Sequence, residues 1–390
     1  MSSTPETSTH EAVTQTRSTT SRMRDTLQQL FERADVQING DRPWDIQVHN
    51  AALYKRLLSG GSLALGESYM DGWWDCQAID ELVARILRVD LRQAVRRSTR
   101  ALFYTVMALL TNRQSRSRAF QVGERHYDLG NDLFELMLDR RLVYSCGYWA
   151  KAQTLDDAQE AKLDLICRKI QLAPGQHVLD IGCGWGGFIG YAAEHYGARA
   201  TGITVSREQA SYVQERYPGL PIEVQLEDYR DLHGTFDHIV SVGMFEHVGY
   251  KNYRTFMEVA HRCLDDDGLF LLHCIARNET GSTTDPWIER YIFPNGITPS
   301  LKQIATAAEG LFIVEDVHNF GAFYDKTLMA WHANFKAGWP QIADRYGERF
   351  YRMWTYYLLC CAGSFRIRSN SLLQVVLSKH GVPGGYRSVR

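Results

Sequence analysis

No stretch of this 390-residue chain approaches the roughly 18 consecutive apolar residues of a membrane-spanning helix, so the sequence offers no transmembrane segment. Its eight cysteines (Cys76, Cys146, Cys167, Cys183, Cys263, Cys274, Cys360 and Cys361) contain no C-x-x-C pair. That argues against a zinc ribbon, a redox motif or a disulfide framework, and fits a reducing, cytoplasmic setting with no bound metal. Charge of one sign is also lacking: the formal net charge is −2, so the molecule is no generic polyanion binder and no nucleic acid partner is expected. The first 22 residues have no apolar core of the kind a secretory signal needs, and Glu6 and Glu11 count against a mitochondrial transit peptide. Residues 1–22, rich in Ser and Thr, read as a disordered tail.

What remains is ordinary for a folded protein, 45% hydrophobic and 23% charged, and long enough for two domains. Residues 23–120 read as a helical domain: apolar positions recur three and four apart in "MRDTLQQLFERA" and again after the turn at Asp71-Gly72. Between Leu91 and Arg118 stand seven arginines (Arg92, Arg96, Arg97, Arg100, Arg113, Arg116, Arg118) and no acid, flanking "ALFYTVMALL". Such a segment suits an anionic membrane surface; it reads equally well as a core helix with a solvated rim. Residues 121–390 change character. The runs "HVLDIG", "ARATGITV", "IEVQLED", "FDHIVSVG", "GLFLLHCI" and "LFIVEDV" alternate with helical segments, the rhythm of an α/β domain with a mainly parallel, Rossmann-like sheet.

Ligands of such sheets sit beyond the carboxyl ends of the strands. There the first run closes on "VLDIGCGWGGF", with Asp180 followed by Gly182, Gly184 and Gly186. The spacing departs from the G-x-G-x-x-G of dinucleotide enzymes, whose third glycine comes three residues after the second. A ligand with an amino acid end and a nucleoside end but no pyrophosphate fits better, and S-adenosylmethionine has both ends.

These residues, with "LGESYMDGWW", "RHYDLGNDLFELML", "YSCGYW", "SVGMFEHVG", "YIFPNG" and "CAGSFRIR", resemble the cyclopropane-fatty-acyl-phospholipid synthase family from about residue 45 onward. The family is similar to the mycolic acid cyclopropane synthases, which lack the extra N-terminal domain. The resemblance implies a class I S-adenosylmethionine-dependent methyltransferase domain preceded by a smaller helical domain. It implies a homodimer at the inner face of the bacterial membrane, acting on phospholipid acyl chains in the bilayer. "TGITVSREQ" has no acid for the ribose, and the resemblance puts Thr204 and Gln209 beside the cofactor instead. It puts Tyr144 and Ser145 near the methionine end, and Glu227 and Asp228 near adenine, where a carboxylate can accept from the exocyclic amine.

A methyl group delivered to an unactivated cis double bond leaves a carbocation, and ring closure then needs loss of a proton from that methyl. The site must supply a base and negative charge and exclude water. Candidates in apolar settings are Cys146, Glu246, His247, His273 and Tyr324. The resemblance implies a bicarbonate ion as proton acceptor, held by the Glu246, His273 and Tyr324 side chains and by the Cys146 and Ile275 amides. It implies lid or pocket roles for His126 and Tyr127. Cys361 matches a cysteine assigned to the family's active site, although a thiol could itself accept the methyl group and packing suits it better. Phe323 stands where many relatives carry an acid, which leaves open how the Tyr324 loop is charged. The insert "PWIERYIFPNGITPS" and "RMWTYYLLCCAGSF" are apolar enough to wall an acyl channel, or to be core. The rival functions are another lipid or small-molecule C- or N-methyltransferase, and a catalytically silent lipid-binding protein.

Overall fold

The computed structural model describes residues 7–89 and 130–390. The arginine-rich segment, the domain boundary expected at residue 120, and His126 and Tyr127 lie outside the described residues. The N-terminal part is α1 (Thr7–Glu32), α2 (Ala52–Met70), broken at Gly61, and α3 (Ile79–Arg88), with a two-stranded ribbon of β1 (Gln47–Val48) and β2 (Trp74–Asp75). Helix α1 runs through residues 7–22, where a disordered tail was expected. No Gly or Pro interrupts it, and Leu27 and Phe31, one turn apart, anchor its end in the core.

The remainder opens with α4 (Asn131–Met137) and α5 (Leu155–Lys169), then alternates strand and helix through β3 (His177–Ile181), α6 (Gly187–Tyr196), β4 (Arg199–Thr204), α7 (Arg207–Arg216) and β5 (Ile222–Leu226). After β6 (Phe236–Val242) come α8 (Phe245–Val248), α9 (Tyr253–Cys263), β7 (Leu264–Arg277), α10 (Pro286–Tyr291), α11 (Leu301–Ala308) and β8 (Ile313–Asn319). The chain ends with α12 (Ala322–Gly338), α13 (Ala343–Tyr346), α14 (Glu348–Arg366) and β9 (Asn370–Ser378). The sheet order is β5-β4-β3-β6-β7-β9-β8. β3 to β7 run parallel and β9 is antiparallel to both neighbours. The chain leaves β3 toward β4 and β5 on one side and returns to β6 on the other, so the order reverses between β3 and β6. A crevice opens at their carboxyl ends.

The two parts do not own separate cores. Leu53, Trp74 and Leu82 of the N-terminal part belong to one apolar cluster with Phe134, Trp331, Trp354 and Phe365. Helix α14 is the common wall, and Gly363 lies so close to α3 that an added Cβ would strike the Asp80 carbonyl oxygen. Charged groups fix the register around this contact. Arg366 pairs with Asp80 at 2.6 Å and with Asp325 of α12 at 2.9 Å, and Arg352 donates to Asp75 at 2.6 Å.

Gly363→Val should therefore drive α3 off α14, with an overpacking cost of about 1–3 kcal/mol. Urea unfolding that gives the same midpoint for variant and parent would show that this contact does not join the two parts.

Candidate active site

The turn after β3 owes its shape to glycines with three different duties. Gly182 has φ +89°, and an added Cβ would lie 2.6 Å from the Met244 side chain; Gly186 has φ +80°, and its Cβ would meet Val213 at 2.9 Å. Gly184, at φ +55°, faces open space. Only Gly184 therefore keeps the cavity itself clear, while its neighbours let the turn pack against α7 and the loop after β6. All three are expected cofactor residues from the motif; Gly182 and Gly184 line the cavity.

The cavity at this turn is lined by Tyr144, Ser145, Asp180, Gly182, Gly184, Thr204, Gln209, Glu227 and Asp228, among others, which brings together every expected cofactor residue except Gly186. Thr204 Oγ1 donates to Gln209 Oε1 at 2.8 Å and accepts from Ser206 N at 3.1 Å, so the start of α7 is closed by neutral groups where other sheets carry an acid. Asp228 is already engaged: it pairs with Arg230 at 2.9 Å and accepts from the Arg230 amide. Glu227 is half-buried, with its own amide bonded to the Thr204 carbonyl. The Tyr144 hydroxyl meets Tyr357 OH at 2.8 Å, and its ring lies against Trp331 and Phe134.

Two residues of α5 that sequence reading missed also shape this cavity. Gln159 and Lys162 are fully buried; Gln159 donates to the Ser145 carbonyl at 2.7 Å, and Lys162 Nζ to Ser145 Oγ at 2.9 Å. Asp180 is buried too, and its Oδ1 has no hydrogen-bond partner among the described residues. Burial raises its pKa to about 7 against the pull of the Lys162 cation. An ammonium group is the natural partner for that oxygen, so the residues present fit the amino acid end of S-adenosylmethionine.

Next to this cavity lies a second set of buried polar groups, whose partners are those found among the described residues. Glu246, on α8, accepts the Ile275 amide on Oε1 at 2.7 Å while its buried Oε2 has no partner. Burial raises its pKa to about 7, opposed by that amide. The expected Ile275 amide thus reaches the site by holding the carboxylate. His273, paired in register with Val242 of β6 and Gln374 of β9, has Nδ1 3.2 Å from Gln374 Nε2 and a buried Nε2 with no partner. Burial keeps it neutral; with the Gln374 amide donating to Nδ1, the ring proton sits on Nε2. Gln374 was also missed, because β9 itself was not read as a strand.

Tyr324 is buried between Trp331 and Phe365, and Cys146, Glu246 and Cys361 are among the groups whose charge would bear on its hydroxyl. Burial holds that hydroxyl protonated, and does the same for the Cys146 thiol. Cys361 is pushed up to about 12, so it is a neutral thiol at pH 7 and a poor nucleophile. His247 lines the cavity, packs against Phe293, and is held down to about 4 by burial. Phe323 packs on Tyr148 and Phe320.

Residues 114–375 match the family model of mycolic acid cyclopropane synthetases. The chain belongs to this family. It is 53% identical to cyclopropane-fatty-acyl-phospholipid synthase of Escherichia coli strain K12 over 93% of this chain and 94% of that protein. It is 36% identical to cyclopropane mycolic acid synthase 3 of Mycobacterium tuberculosis, over 66% of this chain and 96% of that protein. Among solved structures, the cyclopropane synthase MmaA2 from Mycobacterium tuberculosis superimposes with a TM-score of 0.63 at 32% identity, covering 67% of this chain and 98% of that one. The synthase CmaA1, complexed with SAH and CTAB, gives 0.62 at 35% identity over 67% and 98%. The chain is an S-adenosylmethionine-dependent methyltransferase of that family. Among the described residues no helix is long and apolar enough to cross a membrane.

The division of labour among the glycines has a direct consequence. Gly184→Val should weaken S-adenosylmethionine binding at least ~10-fold with about 1 kcal/mol of strain, whereas Gly182→Val should lower stability more through its collision with Met244. Calorimetry and thermal unfolding on both variants would contradict this if Gly184→Val bound the cofactor normally.

Proposed function

We propose that this chain transfers a methylene unit from S-adenosylmethionine to the cis double bond of an unsaturated phospholipid acyl chain, giving a cyclopropane ring and S-adenosylhomocysteine, with bicarbonate as proton acceptor. Glu246 Oε2 and His273 Nε2, two buried polar atoms without a partner among the described residues, carry this reading.

In the reaction the alkene carbon takes the methyl group from sulfur, and positive charge develops on the neighbouring carbon. The ring closes as a C–H bond of the transferred methyl breaks and its electron pair forms the last C–C bond, so one proton must leave. Bicarbonate, when bound, supplies a weakly basic oxygen where water is excluded. His273 Nε2–H and the Tyr324 hydroxyl are donors for an anion. Glu246, with a pKa near 7, is able to share a proton with that anion rather than repel it. The amides of Cys146 and Ile275 complete the proposed set, the latter by fixing Glu246. Asp180 Oδ1 receives the cofactor's ammonium, and Tyr144, Trp331 and Tyr324 present ring faces that favour positive charge nearby.

With unsaturated phospholipid vesicles, purified protein should lose activity when carbon dioxide is removed and regain it on addition of bicarbonate. Glu246→Gln should slow turnover by ~10²- to 10⁴-fold while cofactor affinity survives. An undiminished rate without bicarbonate would assign proton removal to a side chain.

The acyl substrate lies in a bilayer, and the segment from Leu91 to Arg118 is the proposed contact with the anionic inner face. Changing Arg96, Arg97 and Arg100 to Gln should weaken vesicle binding by up to about 3 kcal/mol at low salt, and high salt should do the same to the parent. Equal sedimentation of both proteins with anionic vesicles at low salt would remove the segment from the interface.

A further inference from the structure

Lysine is the residue least suited to a dry interior, yet Lys162 is fully buried on the inner face of α5, between the cavity and the helix. Among the described residues its Nζ donates to Ser145 Oγ at 2.9 Å. The groups whose charge bears on it are Asp139 from the loop after α4, Cys146 from the loop before α5, and Asp180 from β3; its own charge in turn bears on His273 of β7. Cys146 and His273 are neutral at pH 7, which leaves two carboxylates. They are not equivalent. Both oxygens of Asp139 are committed to backbone, Oδ1 to the Val143 amide and Oδ2 to the Arg141 amide, each at 2.9 Å. Asp180 lines the cavity with Oδ1 unpartnered among the described residues, and of those residues Lys162 is the cation whose charge bears on it; Cys183 beside it is a neutral thiol.

We propose that Lys162 is a positioning residue for the methyl donor: its buried ammonium, at the wall of the same cavity, favours the ionised form of Asp180, so that the free oxygen of Asp180 accepts the donor's ammonium group, while the same ammonium ties down Ser145 at the cavity wall. This rests on the reading that S-adenosylmethionine occupies the cavity. Without Lys162, burial acts on Asp180 unopposed, and the carboxyl is neutral at physiological pH. A neutral carboxyl forfeits the charged part of its bond to the donor. Above about pH 8, where burial strips Lys162 of its own proton, the parent loses the same advantage.

The test is calorimetric binding of S-adenosylmethionine between pH 6.5 and pH 9 by the full-length protein, its Lys162→Met variant, and Lys162→Gln, which can still donate to Ser145. At pH 6.5–7 both variants should bind about 10- to 100-fold more weakly than the parent, the range of a charge-assisted hydrogen bond. By pH 9 all three should converge to within about threefold, since charge on Lys162 is then absent from each. A loss of the same size at every pH would make Lys162 a packing residue and overturn the proposal, as would unchanged affinity. Should Lys162→Met not fold, Lys162→Gln carries the same expectation. A parent that binds no S-adenosylmethionine would instead sink the reading of the cavity.

Discussion

A charge taken out of water must meet another charge or a hydrogen bond, and the carboxyl ends of the strands in this protein are arranged around that requirement. Asp180 and Lys162 are buried there, and Glu246 holds its Oε2 out of solvent. Each is met only in part by the protein. Asp180 has an unused oxygen and a cation behind it; Glu246 has one oxygen held by the Ile275 amide and the other free. In both carboxyls burial wins over the compensating group and brings the pKa to about 7. Groups so poised can hold a cation on one side of the reaction centre and share a proton on the other, which is what a cationic methyl donor and a proton-releasing ring closure require.

The same constraint explains why the wall of the site is aromatic. The proposed carbocation must be protected from water until it has lost a proton, and Tyr144 of the cavity lining packs against Trp331 and Phe293, with Tyr324 on Trp331 behind it. Helix α14 contributes Tyr357 to this wall through its bond to Tyr144. On another face its Gly363 receives α3. The N-terminal helices therefore brace the helix that backs Tyr144, and the two parts share one apolar cluster.

Much of this was legible from residue pattern. The glycine turn after β3 and six of the strands stand out as short apolar runs bounded by turn residues, and β3, β4 and β6 are buried on both faces. β9 was missed: "SLLQVVLS" follows α14 after only a few residues, and so short an apolar run is not told from a buried helical segment by periodicity alone. Missing β9 hid Gln374 and with it the partner that orients His273. Lys162 and Gln159 were hidden differently. They sit among charged residues in "DDAQEAKLDL", where a lysine reads as solvated, and only the packed helix shows that this one faces inward. The separate duties of Gly182, Gly184 and Gly186 depend on Met244 and Val213, which are distant in sequence.

The central claim is that the transferred carbon arrives as a methyl group and leaves the site as a ring methylene, one proton having been removed within the dry pocket. Supplying S-adenosylmethionine with a trideuterated methyl group and analysing the lipid product by mass spectrometry tests it directly. The account predicts a saturated ring carbon carrying two deuterons, with the third released to solvent. A product that retains all three deuterons on an intact methyl branch would contradict it, and would make the chain a methyltransferase that does not close the ring.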